Sequence, residues 1–223
     1  YEISLGLVGS EMCIRDREKT IHHISVVCAL AQIVLILVSW LWSAAVPDSS
    51  VNSLLSARGV RWFFGSYVDN EASPILVWLV LLGLAIGSLR SSGSCRAMRQ
   101  AFLRQGPPLT SLQKFAFRSS LVLFLLELAA VAGLTMLPHA VLLSVSGDLF
   151  PSSFSVAIIP IVAFVCVTVS IFYGLLANHY HSFADIGRGV CSEHRLLVAL
   201  LLLYVVASQL INSLIYVFEM AEA

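Results

Sequence analysis

The residues with the greatest chemical consequence stand inside apolar stretches. Glu127 interrupts the run at residues 119–137. A carboxyl there is costly in hydrocarbon and turns toward protein or a wet cavity. Two readings follow: a group that exchanges a proton on a substrate path, or a structural carboxyl that is protonated or hydrogen-bonded. Ser208, Gln209 and Asn212 interrupt a second run, residues 196–218. Gln209 and Asn212 are three apart and share a helix face. Such groups need partners in apolar surroundings, so they either fix helix packing or face a ligand path. Arg61 adds a cation that can attract a carboxylate. His179, His181 and Asp185 supply metal-donor atom types, but a ligand set needs fixed geometry and a further neighbour. They read as polar loop side chains, and no metal is expected. Neither HExxH nor GxSxG occurs, which argues against an intramembrane enzyme.

These groups must be positioned by membrane-spanning elements. Hydrophobic residues make up 58% of the 223 residues and charged residues 12%, against about 25% charged in a soluble globular domain. Five runs match the length of a bilayer-crossing helix: residues 24–46, 74–89, 119–137, 154–176 and 196–218. The predicted fold class is therefore an all-α polytopic membrane protein, with an interfacial helix over 51–71. That segment is too polar to span but carries apolar patches beside Arg58 and Arg61; a solvent loop with aromatic anchors is the other reading. Pro74 suits a helix start. Gly83 and Gly87 form a small-xxx-small pair that permits close helix approach. Pro160 favours a kink in the fourth run. Trp40 and Trp42 sit where an interfacial aromatic is favoured.

Charge placement orients the chain. With the amino terminus inside, Lys19, Arg90, Arg96, Arg99, Arg104, Lys114, Arg118, Arg188 and Arg195 all fall on the inner side, and only Arg58 and Arg61 fall outside. This is a positive-inside pattern, with the carboxyl terminus outside. It accounts for the basic stretch at 90–118 better than nucleic-acid binding does, and that stretch can touch anionic lipid heads. Cys13, Cys28, Cys95, Cys166 and Cys191 stand singly, so neither a disulfide framework nor a structural zinc site is expected. Residues 1–17 lack a signal-peptide pattern and resemble translated sequencing adapter, so they are set aside as a non-native leader. Residues 18–223 read as one membrane domain.

Two blocks carry a family resemblance. The first, VNSLLSARGVRWFFGSYVDNEASPILVWLVLLGLAIGSLRSSG, resembles a segment in which NLLS-x-x-G-[LIV]-R precedes a Gly-rich second span. The second is IIPIVAFVCVTVSIFYGLLANHYHSFADIGRGV with the later LLLYVVASQLINSLIYVF. It resembles a P…YG…S-x-x-D region followed by an A-[AS]-Q-[FL] helix. Both are similar to blocks of the AbgT family, the p-aminobenzoyl-glutamate transporters. The resemblance marks Asn52, Gly59 and Arg61 in the amphipathic segment and Gly83, Gly87 and Gly93 in the second-span block. It marks Pro160, Tyr173, Gly174, Ser182 and Asp185 around the fourth span, and Ser208 and Gln209 in the fifth. It implies a secondary transporter of organic anions in the bacterial inner (cytoplasmic) membrane, coupled to H+ or Na+ and needing no other cofactor. Full members are longer and dimeric. The Ser/Gly/Asn-rich hairpin and the second half of such a member have no counterpart in these residues. The chain then reads as a short or truncated member, in which a homo-oligomer or a complementary membrane subunit would complete the substrate site. The alternative is a non-transporting structural or assembly protein.

Overall fold

The computed structural model describes residues 2–46, 50–103, 108–136 and 153–218, of which 2–17, 136 and 153–156 are described as backbone alone. Every regular element among the described residues is an α-helix: α1 (Glu2–Ala45), α2 (Ala57–Gly65), α3 (Tyr67–Glu71), α4 (Pro74–Ser91), α5 (Ser94–Leu103), α6 (Ser111–Met136), α7 (Ser153–Leu176), α8 (Phe183–Val190) and α9 (His194–Phe218). Five segments are long and apolar enough to cross a membrane: Glu18–Ala45, Pro74–Ser91, Ser111–Thr135, Ala157–Leu176 and His194–Phe218. They carry many large apolar side chains that the chain itself leaves exposed, such as Val27 and Leu41 on α1, Leu126 on α6 and Phe164 on α7. Lipid is the solvent in which such surfaces are stable, and helices are the elements that satisfy their own backbone there. The protein is an all-α polytopic membrane protein.

The expected spans recur with shifted edges. α6 begins eight residues before Ser119, so Lys114 and Arg118 lie on its first turns instead of in a loop. The cause is a reciprocal cap. Thr110 Oγ1 accepts from the Gln113 N–H at 3.3 Å, and Gln113 Oε1 accepts from the Thr110 N–H at 3.1 Å, which is the capping-box arrangement. The basic stretch also contains α5, and the loop at 178–195 contains α8. The interfacial segment divides into α2 and α3 around Ser66, after a turn at 54–55. Ser56 caps α2 by accepting from the Gly59 N–H at 3.0 Å. Val60, Phe64 and Val68 form an exposed apolar stripe along the pair, as a helix at a membrane surface requires. α7 runs through Pro160 as one helix. Residues 138–152 of the segment between the third and fourth runs, and the residues after 218, lie outside the described residues.

The chain divides into two compact units: Tyr1–Leu79 with Arg195–Ala223, and Val80–His194. In the first unit, α1, α2 and α9 are joined by polar and aromatic contacts. Gln32 Nε2 donates to Ser213 Oγ at 2.9 Å, and the Leu54 N–H donates to Ser39 Oγ at 3.3 Å. Asn52 pairs with the α9 backbone through its N–H to Val217 O and its side-chain amide to Tyr216 O. Trp62 stacks on Tyr216 with ring centroids 4.3 Å apart.

The second unit is held by small residues. α6 and α7 pair along their lengths. Ala97, Ala116, Tyr173 and Ala177 form a core bordered by Leu109, Phe117 and Leu176. Fully buried Ser88 and Ser170 meet hydroxyl to hydroxyl at 2.8 Å. Small side chains let helices approach without a hydrophobic driving force between them.

The YG motif acquires a physical meaning here. α7 ends in a Schellman cap: Asn178 takes φ 59°, the His179 N–H donates to Gly174 O at 2.8 Å, and the Asn178 N–H donates to Leu175 O at 3.2 Å. That pattern satisfies the last carbonyls of a helix. It also folds Tyr180 back. The Tyr180 ring occupies the space a Gly174 side chain would take, since a Cβ there would lie 2.4 Å from the ring. The Tyr180 hydroxyl pairs with Ser91 Oγ at 2.6 Å.

Candidate functional site

In the second unit, Glu127 lies on α6 facing α7. Thr168 Oγ1 is 2.7 Å from Glu127 Oε1 and also 3.0 Å from the Phe164 carbonyl. A threonine hydroxyl has one proton to donate. An ionised Glu127 takes that proton away from Phe164 O. A protonated Glu127 instead donates to Thr168 Oγ1 and leaves the threonine bonded to its own helix. Glu127 Oε2 is closed to solvent and has no partner. The pair is thus an arrangement with two proton positions inside an apolar helix pair. Thr168 escaped sequence reading because a threonine in a span is unremarkable; only the pairing of α6 with α7 brings it to Glu127.

The polar residues of α9 meet in the first unit. Ser208 Oγ donates to Asn70 O at 2.9 Å, and Asn212 Nδ2 reaches the same carbonyl at 3.4 Å. Asn70 Nδ2 donates to Gln209 Oε1 at 3.3 Å. One turn earlier, Tyr204 OH donates to Glu71 O at 3.2 Å and pairs with Ser73 Oγ at 2.6 Å. The stripe Tyr204, Ser208 and Asn212 therefore supplies hydrogen bonds to the carbonyls that end α3. Those carbonyls have no intrahelical donor of their own. Asn70, Glu71 and Tyr204 were not expected as site residues. Tyr204 had a signal, standing four residues before Ser208 on the same helix face.

The remaining residues marked by resemblance are mainly architectural. Gly59 is buried on the Ser53–Leu54 backbone. Gly87 is buried against the Val190 carbonyl, 2.4 Å from where its Cβ would stand, so its close approach is to the end of α8. Gly83 is half-buried. Gly93 takes φ +78° between α4 and α5, with His179 Nε2 2.7 Å from a Cβ position. Tyr173 is buried in the core, and Arg61 is exposed on α2. Among the described residues, no group of three or more His, Cys, Asp or Glu is placed to hold a metal ion.

The S-x-x-D motif is the start of α8. Ser182 Oγ accepts from the Asp185 N–H at 3.2 Å, and Asp185 Oδ2 accepts from the Ser182 N–H at 3.0 Å. Hydrogen bonding from the Ser182 side chain, then from the His181 backbone, with Arg188 adding its charge, holds the Asp185 carboxyl below its ordinary range. A depressed folded value makes this contribution complete above the usual aspartate range and lost as pH falls through the lower folded value. Ser182→Ala is expected to cost the α8 start about 1 kcal/mol. Protection factors of the α8 amides, which divide out the pH dependence of intrinsic exchange, check it: they should be lower in the variant above the aspartate range, and in wild type should fall below it.

The fold and these polar contacts define a multi-pass helical membrane protein with intramembrane carboxyl and amide groups. No family model, curated protein or solved structure matches this chain.

Proposed function

We propose that the protein is a secondary transporter, or a component of one, for a small organic anion resembling p-aminobenzoyl-glutamate, in a bacterial inner membrane. The observation that carries this reading is the Glu127–Thr168 pair, a carboxyl within a span with two available proton positions. An intramembrane carboxyl of this kind suits exchange of a coupling proton during alternating access. Na+ is the other coupling ion to test. Arg61, exposed on the interfacial helix pair, supplies a cation to attract the substrate carboxylate. A second copy of the chain or a complementary membrane subunit would complete the substrate path. The test is uptake of p-aminobenzoyl-glutamate into vesicles under an imposed proton gradient. Wild type is expected to accumulate substrate, and Glu127→Gln to lose gradient-driven accumulation by ten-fold or more, roughly the scale of an essential proton-transfer group. Equal uptake by both proteins overturns the role of Glu127, and uptake no better than empty vesicles overturns transport by this chain.

A second reading has its own observation. Ser208 and Asn212 both direct donors at one backbone carbonyl of α3, an arrangement that serves helix packing and leaves those donors no work on a ligand. It favours a structural or assembly protein that does not transport. Copurification of a stable heteromeric membrane complex, with no substrate-dependent thermal shift, supports that reading over the first.

A further inference from the structure

The α3–α9 contact contains a group with no role in either reading. Glu71 is the last residue of α3, outside the five candidate spans. Its backbone carbonyl is taken by Tyr204, yet both side-chain oxygens are closed to solvent and accept no hydrogen bond. Gln209 meets Asn70, the residue before Glu71, and is only 5% exposed. Its Oε1 is bonded to Asn70, while its Nε2 donor has no partner. A carboxylate shut away from water without donors pays most of its desolvation cost uncompensated, and the economical remedy is to bind a proton.

Among the described residues, no cation is paired with Glu71. The residues of α9 from Leu196 to Phe218 include no charged side chain, and neither do Ile24–Ala45 of α1 or the first turn of α4. Tyr204 is the titratable group that α9 brings to Glu71, and it is spent on the Glu71 and Ser73 oxygens. On α2, Arg58 and Arg61 are exposed, and on α3 itself Asp69 is exposed. Among the described residues, none of these forms an ion pair with Glu71. The end of a helix, where carbonyl dipoles point outward, further disfavours a negative charge. Burial accordingly raises the Glu71 carboxyl above its ordinary value.

We propose that Glu71 is a proton-binding site: with α3 docked on α9 its side chain is the neutral acid, and undocking exposes it to release H+ to water and become the carboxylate. The O–H bond of the acid breaks, its electron pair stays on the carboxylate, and water takes the proton, so no other reactant is needed. The site stands apart from Glu127, which belongs to the other unit, and it holds whether or not the protein transports an anion.

The test uses the full chain, purified in lipid nanodiscs at neutral pH without substrate. Infrared spectroscopy of wild type is expected to show a protonated-carboxyl C=O component that is lost in Glu71→Gln and retained in Glu127→Gln. Titrating wild type should remove the component only above the ordinary glutamate range. The stability sign follows from linkage. A raised folded value means that the folded state binds the extra proton, so stability falls as pH rises from the ordinary value through the folded one. The melting temperature of wild type should decline across that window, and Glu71→Gln should decline less and melt higher at its upper end. An unchanged carboxyl component in Glu71→Gln overturns the proposal. So does loss of the wild-type component on adding Na+ alone, which would make this a metal-cation site. Because no substrate is present, failure of transport leaves the proton site intact, and failure here leaves the transport test of Glu127 intact.

Discussion

Replacing Tyr180 by alanine should loosen the carboxyl end of α7 together with α8, at a cost of about 3 kcal/mol or more, the range for truncating a buried aromatic. Tyr180 is 6% exposed, and its ring lies against two glycine backbones. A Cβ on Gly174 would stand 2.4 Å from the ring, and one on Gly189 would stand 2.6 Å from the hydroxyl oxygen. Both helices have therefore given up side chains where one tyrosine is seated, and its loss leaves the volume of the ring unfilled between them. Tyr180→Phe keeps the ring and removes only the pairing with Ser91, so it should cost about 1 kcal/mol. The difference between the two variants separates packing from hydrogen bonding. Thermal unfolding in detergent gives the totals, and hydrogen exchange at the α8 amides locates the loss. Equal effects of the two variants would refute the packing account.

The second large effect is expected at Gly59. A Cβ there would fall 2.3 Å from the Ser53 carbonyl oxygen and 2.6 Å from Leu54 Cα. Both are backbone atoms, so no rotamer change relieves the overlap, and α2 must move as a body. Gly59→Ala should cost about 1–3 kcal/mol, as overpacking does. Gly65 provides the control. It lies in the same helix, and nothing stands within 4 Å of its Cβ position. Gly65→Ala should be neutral or gain up to about 1 kcal/mol through helix propensity. Trp62 reports the displacement because it stacks on Tyr216. With Trp40, Trp42 and Trp78 replaced by phenylalanine, Gly59→Ala should change Trp62 fluorescence and Gly65→Ala should not.

The spans were legible because an uninterrupted apolar run of bilayer length has few other uses. Their edges were less so. The start of α6 is encoded in Thr110 and Gln113, but Gly106, Pro107 and Pro108 just before them argue for a continuing loop. The same kind of signal stands in the S-x-x-D motif of Ser182 and Asp185, and its substance is a helix cap. Ser208, Gln209 and Asn212 declared themselves by being polar in an apolar helix. Their shared partner could not be read, because Asn70 lies 138 residues from Ser208 in the chain. Glu71 was hidden for a similar reason: an acidic residue ahead of a span reads as solvated until α9 is placed beside it. Tyr180 looked like one more polar-loop aromatic, since the glycines that receive it come from separate helices.

Several hydroxyls in the spans donate within their own helix. Ser25 donates to Ile21 O, Ser39 to Ile36 O, Thr135 to Val131 O, and Ser170 to Cys166 O. Those hydroxyls bring their acceptors with them into hydrocarbon. Glu127, Gln32 and Gln209 cannot be served this way, and their partners are supplied by other segments. Synthesis runs from the amino terminus, so Gln32 waits for Ser213 almost until the described chain is finished. Glu127 waits for Thr168 one span later, whereas Asn70 already precedes Gln209 when α9 emerges. The order of translation thus leaves the Gln32 amide waiting longest for its partner, so α1 holds a polar group that only the last described helix satisfies.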